Sequence, residues 1–184
     1  MTSIGSMTRT LLYVFGRERL PLIGLSFAVL FVSTLIGTFM PVDPELAKQI
    51  EEAYKQFEQY GPSVILLNNA FASIIMMVPL LGLGSAVYVA YTTGIALASV
   101  SSLAGIDPRL SFMFTFLMPH SILEFLAYSL ALSENLAICQ RILTRKELDK
   151  ELRYLLATLI MVTIILTIGA LVETATINVL GAGS

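Results

Sequence analysis

From Gln59 to Ile106 the chain carries no charged residue, a run of 48 positions. A soluble domain exposes charge every few residues, so a stretch of this length belongs in a bilayer. It is long enough for two membrane-crossing helices joined by a tight turn. Pro79-Leu80-Leu81-Gly82-Leu83-Gly84 supplies that turn, because proline and two glycines fall together there. The rest of the chain agrees: 56% of the 184 residues are hydrophobic, 13% are charged and the mean hydropathy is +0.82. A net charge of −2 gives no basis for nucleic-acid binding. The single cysteine, Cys139, excludes an internal disulfide and a multi-cysteine metal site. The first twenty residues do not read as a signal peptide, since the apolar run behind them lacks a small-residue cleavage site.

The remaining charges place the other spans. An all-α, polytopic transmembrane bundle of about five spans is expected, at residues 20–40, 63–81, 85–103, 109–131 and 154–180, in a single domain over 1–184. Asp107 is a good N-cap for the fourth span, with Pro108 at its first position. Thr144-Arg145-Lys146-Glu147 reads as a capping box opening the last helix. Five spans put the N-terminus and a helical connection at 134–153 on one side. That side gathers Arg9, Arg17, Arg19, Arg141, Arg145, Lys146, Lys150 and Arg153, against Lys48, Lys55 and Arg109 on the other. The excess orients the N-terminus to the cytoplasm and the C-terminus outside.

Residues 44–60 form a short outer amphipathic helix. Leu46, Ile50, Ala53, Tyr54 and Phe57 share one face, Asp43 caps the start and Gly61-Pro62 stops it. It either lies on the membrane surface or docks a partner. The third span repeats small residues every fourth position: Ala86, Ala90, Gly94, Ala98 and Ser102. Such a stripe lets helix backbones approach closely, within one protomer or in a homo-oligomer, a dimer being expected.

Asn69, His120, Glu124 and Glu173 are polar groups at membrane depth. Charges there are costly and are paired, neutral or functional. His120 and Glu124 are four apart, on one face of the fourth span. Pro119 kinks that span and leaves the carbonyl of Thr115 without its helical donor. Counted at about 1.5 Å per residue, His120 meets Asn69 and Glu173, and Glu124 lies one turn deeper. The cluster ties spans together, or it is a proton, ion or substrate site. A metal held by His120 and the two carboxylates is a weaker reading, because the His-Glu-x-x-His pattern is absent. No catalytic residue and no cofactor is expected: there is no serine elbow and no second histidine.

Three stretches, Ile65-Leu66-Leu67-Asn68-Asn69-Ala70, Pro119-His120-Ser121-Ile122-Leu123-Glu124 and Ile168-Gly169-Ala170-Leu171-Val172-Glu173, together resemble the stage II sporulation protein M family over about residues 10–180. Pro-His-x-x-x-Glu is the most specific part. The family usually has Leu-Pro after that glutamate, where Phe125-Leu126-Ala127 stands here. The resemblance implies a five-span membrane protein without enzymatic activity, similar to a scaffold that recruits peptidoglycan-degrading partners. It marks Asn69, Pro119, His120, Glu124 and Glu173 as positions that matter, without assigning their roles. A scaffold that organises partners at the cell membrane is therefore the first expectation, a transporter-like subunit the second, an intramembrane metalloenzyme the third.

Overall fold

The computed structural model describes residues 14–16, 19–58, 62–146 and 148–181. They form α1 (Leu20–Thr38), α2 (Pro44–Glu58), α3 (Pro62–Met77), α4 (Gly82–Leu103), α5 (Pro108–Leu117), α6 (Pro119–Leu143) and α7 (Asp149–Gly181), with no strand among the described residues. The protein is an all-helical transmembrane bundle. Four segments are long and apolar enough to cross a membrane: α1, α4, α6 and Arg153–Thr176 within α7. The apolar part of α3, Ser63–Met77, is shorter.

Local chemistry explains the boundaries. Leu80 takes φ 69° in the α3–α4 turn, a left-handed conformation that a bulky residue adopts only under tertiary constraint. Gly82 does not make the turn; it opens α4. A side chain there would strike the carbonyl of Met76 and the amide of Asn135, so glycine serves close approach. At the other end of α4, Gly105 at φ 70° lets its N–H reach the Ser102 carbonyl (3.1 Å) and that of Ile106 reach Ser101 (2.9 Å), closing the helix in a left-handed cap. Asp107 then caps α5, its carboxylate accepting from the Arg109 N–H at 2.9 Å.

The expected single span at 109–131 is two helices. Met118 is extended, φ −77° and ψ 125°, as the residue before a proline prefers. Pro119 starts α6 instead of bending a continuous helix. The Thr115 carbonyl is not left bare: it accepts from the Met118 N–H at 3.2 Å. The two pieces are joined by aromatic rings. Phe116 contacts Phe125 across the break (centroids 4.6 Å apart) and Phe31 of α1 (5.0 Å), which also meets Phe112 (5.3 Å).

Beyond the break, α6 continues to Leu143, and Glu134, Asn135, Ala137 and Ile138 are buried in it. The expected connection at 134–153 therefore narrows to residues 144–148. Thr144 does not open α7; its hydroxyl donates back to the Gln140 carbonyl (2.8 Å) and ends α6. Glu147, the other half of the expected capping box, lies outside the described residues, as do Arg9, Arg17, Tyr60 and Gly61.

The core lies where α1, α4, α6 and α7 meet. Ala86, Ala90, Gly94 and Ala98 are all buried, and α4 packs on α1 where Tyr91 and Gly94 meet Thr34, Gly37 and Thr38. A side chain on Gly94 would collide with backbone of Thr34, Gly37 and Thr38. The small-residue stripe is thus used inside the protomer; only Ser102, at its end, is exposed. Helix α2 lies across the end of the bundle where Arg109 stacks on Phe39 (5.3 Å). Its innermost residue is Ala47, with Ile50 half-buried, whereas Leu46 and Ala53 are exposed. The side chains of Tyr54 and Phe57 lie outside the described set.

Candidate functional site

The residues expected at membrane depth come from three helices. Asn69 sits in α3, where the Ser73 hydroxyl donates to its carbonyl (2.9 Å). The Asn69 side-chain amide donates to Glu124 Oε1 at 2.6 Å. Glu124 lies in the second turn of α6. Glu173 reaches it from α7, close enough for the two carboxylates to interact electrostatically. Gly169 of α7 faces the Leu123 side chain and the His120 carbonyl, where a Cβ would lie 3.6 and 3.8 Å from them in ordinary contact.

Asn69, Glu124 and Glu173 thus converge. His120 stands one turn before Glu124, half-buried, its Nδ1 enclosed and without a hydrogen-bond partner among the described residues. This differs from the expected order, in which Asn69 met His120 and Glu173 with Glu124 deeper. That order assumed one continuous helix axis from Asp107, and the count does not hold across the extended Met118. Among the described residues no three His, Cys, Asp or Glu side chains converge as metal ligands. The cluster accordingly bonds helices to one another. The Asn69 amide, held between the Asn68 side chain and Glu124, joins α3 to α6.

A second polar cluster, not singled out in the sequence, lies at the opposite end and is more deeply buried. Arg19, just before α1, donates to Glu134 Oε2 of α6 at 2.9 Å and pairs with Glu151 of α7. Arg141 pairs with the other oxygen of Glu151. The Thr158 hydroxyl donates to Glu134 Oε2 at 3.0 Å, and the Arg19 guanidinium lies 5.5 Å from the Tyr154 ring centroid. Arg19 is 6% exposed, Glu134 1% and Glu151 2%, so these are ions removed from solvent and lipid alike. Two cations and two carboxylates neutralise each other, which is what permits the burial. The signal was present: Glu134 is an acid ending the uncharged stretch from Phe125 to Ser133, and Arg19 is the last charge before α1. Arg19 was read as a charge flanking the first span, and Glu134 was not singled out.

Between them, Asn135 and Cys139 hold the α3–α4 turn. The Asn135 amide donates to the Val78 carbonyl, and the Leu80 N–H donates to Cys139 Sγ at 3.3 Å. The turn's backbone polar groups are met by protein, as irregular backbone near lipid requires. A concavity of about 590 Å³ lies at the far end, bordered by Thr38, Phe39, Asp107 and Arg109 among others. A groove of about 340 Å³ runs along Ala28, Val29, Val32 and Ser33. Neither takes in a residue of the Asn69–Glu124–Glu173 cluster or of the Arg19 network.

No curated protein and no solved structure matches this chain. Residues 26–176 match the family described as stage II sporulation protein M. The matched region contains Asn69, Pro119, His120, Glu124 and Glu173, and also Glu134, Glu151 and Thr158, but not Arg19. With most of its length inside that match, the chain belongs to the stage II sporulation protein M family.

Proposed function

We propose that this protein is a non-enzymatic scaffold of the cell membrane, which presents fixed surfaces to partner proteins. The observation that carries the reading is the direct Asn69–Glu124 hydrogen bond (2.6 Å). It spends the most conspicuous polar groups of the bundle on joining α3 to α6. A pathway for solutes needs such groups to face an open, wetted space; these are taken up by neighbouring helices. The Arg19 network at the other end has the same character, since it fixes α1 to α6 and α7. A bundle pinned at both depths is a rigid platform. Its candidate docking elements are α2, with Lys48, Glu52 and Lys55 exposed, and the 144–148 connection, with Arg145 and Lys146 exposed. In this reading the N-terminus is cytoplasmic, so the connection meets cytoplasmic partners and α2 meets outer ones.

One observation favours transport instead. The membrane helix is discontinuous at Met118, with charged and polar side chains beside the new N-terminus, an arrangement found at transporter binding sites.

Crosslinking and mass spectrometry on native membranes separates the two readings, with wild type compared to Glu124→Ala at matched protein levels. The scaffold reading expects a defined set of co-crosslinked proteins in wild type that is reduced in the variant. Crosslinks confined to copies of this chain, together with solute flux in proteoliposomes that Glu124→Ala abolishes, would establish the transporter.

A further inference from the structure

We propose that α3 is the contact helix of a symmetric dimer of this chain, with Asn68 of one copy hydrogen-bonded to the same residue of the second. The inference stands apart from the scaffold reading and rests on α3 alone.

Three observations converge on this helix. First, Asn68 points out of the bundle. Asn69 turns inward to Glu124, whereas Asn68 is exposed, six residues into α3 and within the charge-free run. Among the described residues its one hydrogen bond is a long contact to Asn69 Oδ1, at 3.5 Å. A carboxamide carries two donors and two acceptor sites, and lipid offers no partner for any of them. Second, its surroundings on that face are large and apolar. Leu67 is 68% exposed and Phe71 65%, with Ile74 and Val78 following one and two turns on. Phe71 is three residues from Asn68 and four from Leu67, so all three share one patch. Third, α3 is short. Its 16 residues span about 24 Å, against a hydrocarbon core of about 30 Å. Pairing is one of the ways a short helix relieves that mismatch.

The occupant follows from chemistry. An asparagine is its own complement, since the amide of one meets the carbonyl of the other and the reverse. A two-fold axis beside α3 therefore satisfies both side chains at once. A second copy brings a matching amide to the same depth by symmetry alone. The small-residue stripe on α4, the sequence's other candidate for self-association, is consumed by α1.

The test uses the whole chain in lipid vesicles with donor- and acceptor-labelled copies. Energy transfer against protein-to-lipid ratio gives the dimer dissociation constant. Asn68→Leu is expected to raise it about three- to tenfold, and Asn68→Gln, which keeps the amide, to stay close to wild type. Because Asn68 is exposed, neither change disturbs the protomer core. Contact is mapped independently with Asn68 intact, on a Cys139→Ser background that leaves no other cysteine. A Phe71→Cys variant should form disulfide-linked dimers on mild oxidation, and an Ile160→Cys variant, on the exposed face of α7, should not. A monomeric wild type, an unchanged dissociation constant for Asn68→Leu, or preferential crosslinking through position 160 would each overturn the proposal.

Discussion

Single residues carry most of the uneven energetics in this bundle, and Glu134 is the clearest case. It is 1% exposed and accepts from Arg19 and Thr158. Removing one partner of a buried ion pair leaves the other charge uncompensated, at a cost of about 3–5 kcal/mol. Glu134→Ala should therefore lower the thermal unfolding midpoint in detergent more than any substitution on the exposed face. Replacing both partners with apolar residues, Arg19→Met with Glu134→Leu, should recover part of the loss, because the desolvation cost disappears as well. An equal midpoint for the single and double variants would show that Arg19 is already satisfied without Glu134. Gly94 makes a steric counterpart. Any side chain there meets α1 backbone, which cannot rotate away as a side-chain tip can. Gly94→Ala should destabilise by about 1–3 kcal/mol, read from the same melts, whereas Gly84→Ala, which meets nothing within 4 Å, should be neutral or mildly stabilising.

At the scale of elements, the α5–α6 break is where sequence and structure part most instructively. Pro119 signalled a disturbance, and sequence reasoning expected a kink inside one helix. A kink and a break differ only in the conformation of the preceding residue, which proline biases away from helix without deciding the outcome. What decides it is tertiary: Phe116 and Phe125 pack across the gap and Phe31 holds α5 from α1. No local pattern reports those contacts. Spans 1, 3 and 5 were legible because long uncharged runs are a local property. The burial of Glu134 was not, because it looks like a solvent charge until Arg19, 115 positions earlier, is placed beside it. The same limit applied to the site. Asn69, Glu124 and Glu173 were found from polarity at depth, but their pairing depends on the angle between α5 and α6. A prediction belongs here: Phe116→Ala should loosen α5 while leaving α6 intact. Hydrogen exchange in nanodiscs should show faster exchange over residues 108–118 and unchanged protection over 125–138. Uniformly faster exchange across both helices would mean that the rings support the whole bundle, not the break.

For the whole molecule, the open question is which way it faces, and the structure changes how the charges bear on it. Arg19 and Arg141 are neutralised by Glu134 and Glu151 in the folded state. The exposed cations among the described residues are then Arg145, Lys146 and Arg153 at one end, and Lys48, Lys55 and Arg109 at the other. Among the described side chains the two ends are balanced, three exposed cations against three. The orientation is nonetheless set during insertion, before the ion network exists, when every lysine and arginine flanking a span counts whatever its later partner. Arg9, Arg17, Arg19, Arg141 and Lys150 then supply the excess at the Arg19 end. The N-terminus and the 144–148 connection should lie in the cytoplasm, and α2 and the C-terminus outside. Reporter fusions check this: alkaline phosphatase should be active after residue 105 or 184 and inactive after residue 146. The insertion argument predicts more. Arg9→Gln with Arg17→Gln should produce a mixed population of orientations. If orientation instead followed the charges left exposed after folding, Arg145→Gln with Lys146→Gln would have the larger effect, because those two side chains stay in solvent throughout. Comparing the two double variants by the same fusions identifies the stage at which this bundle commits to its direction.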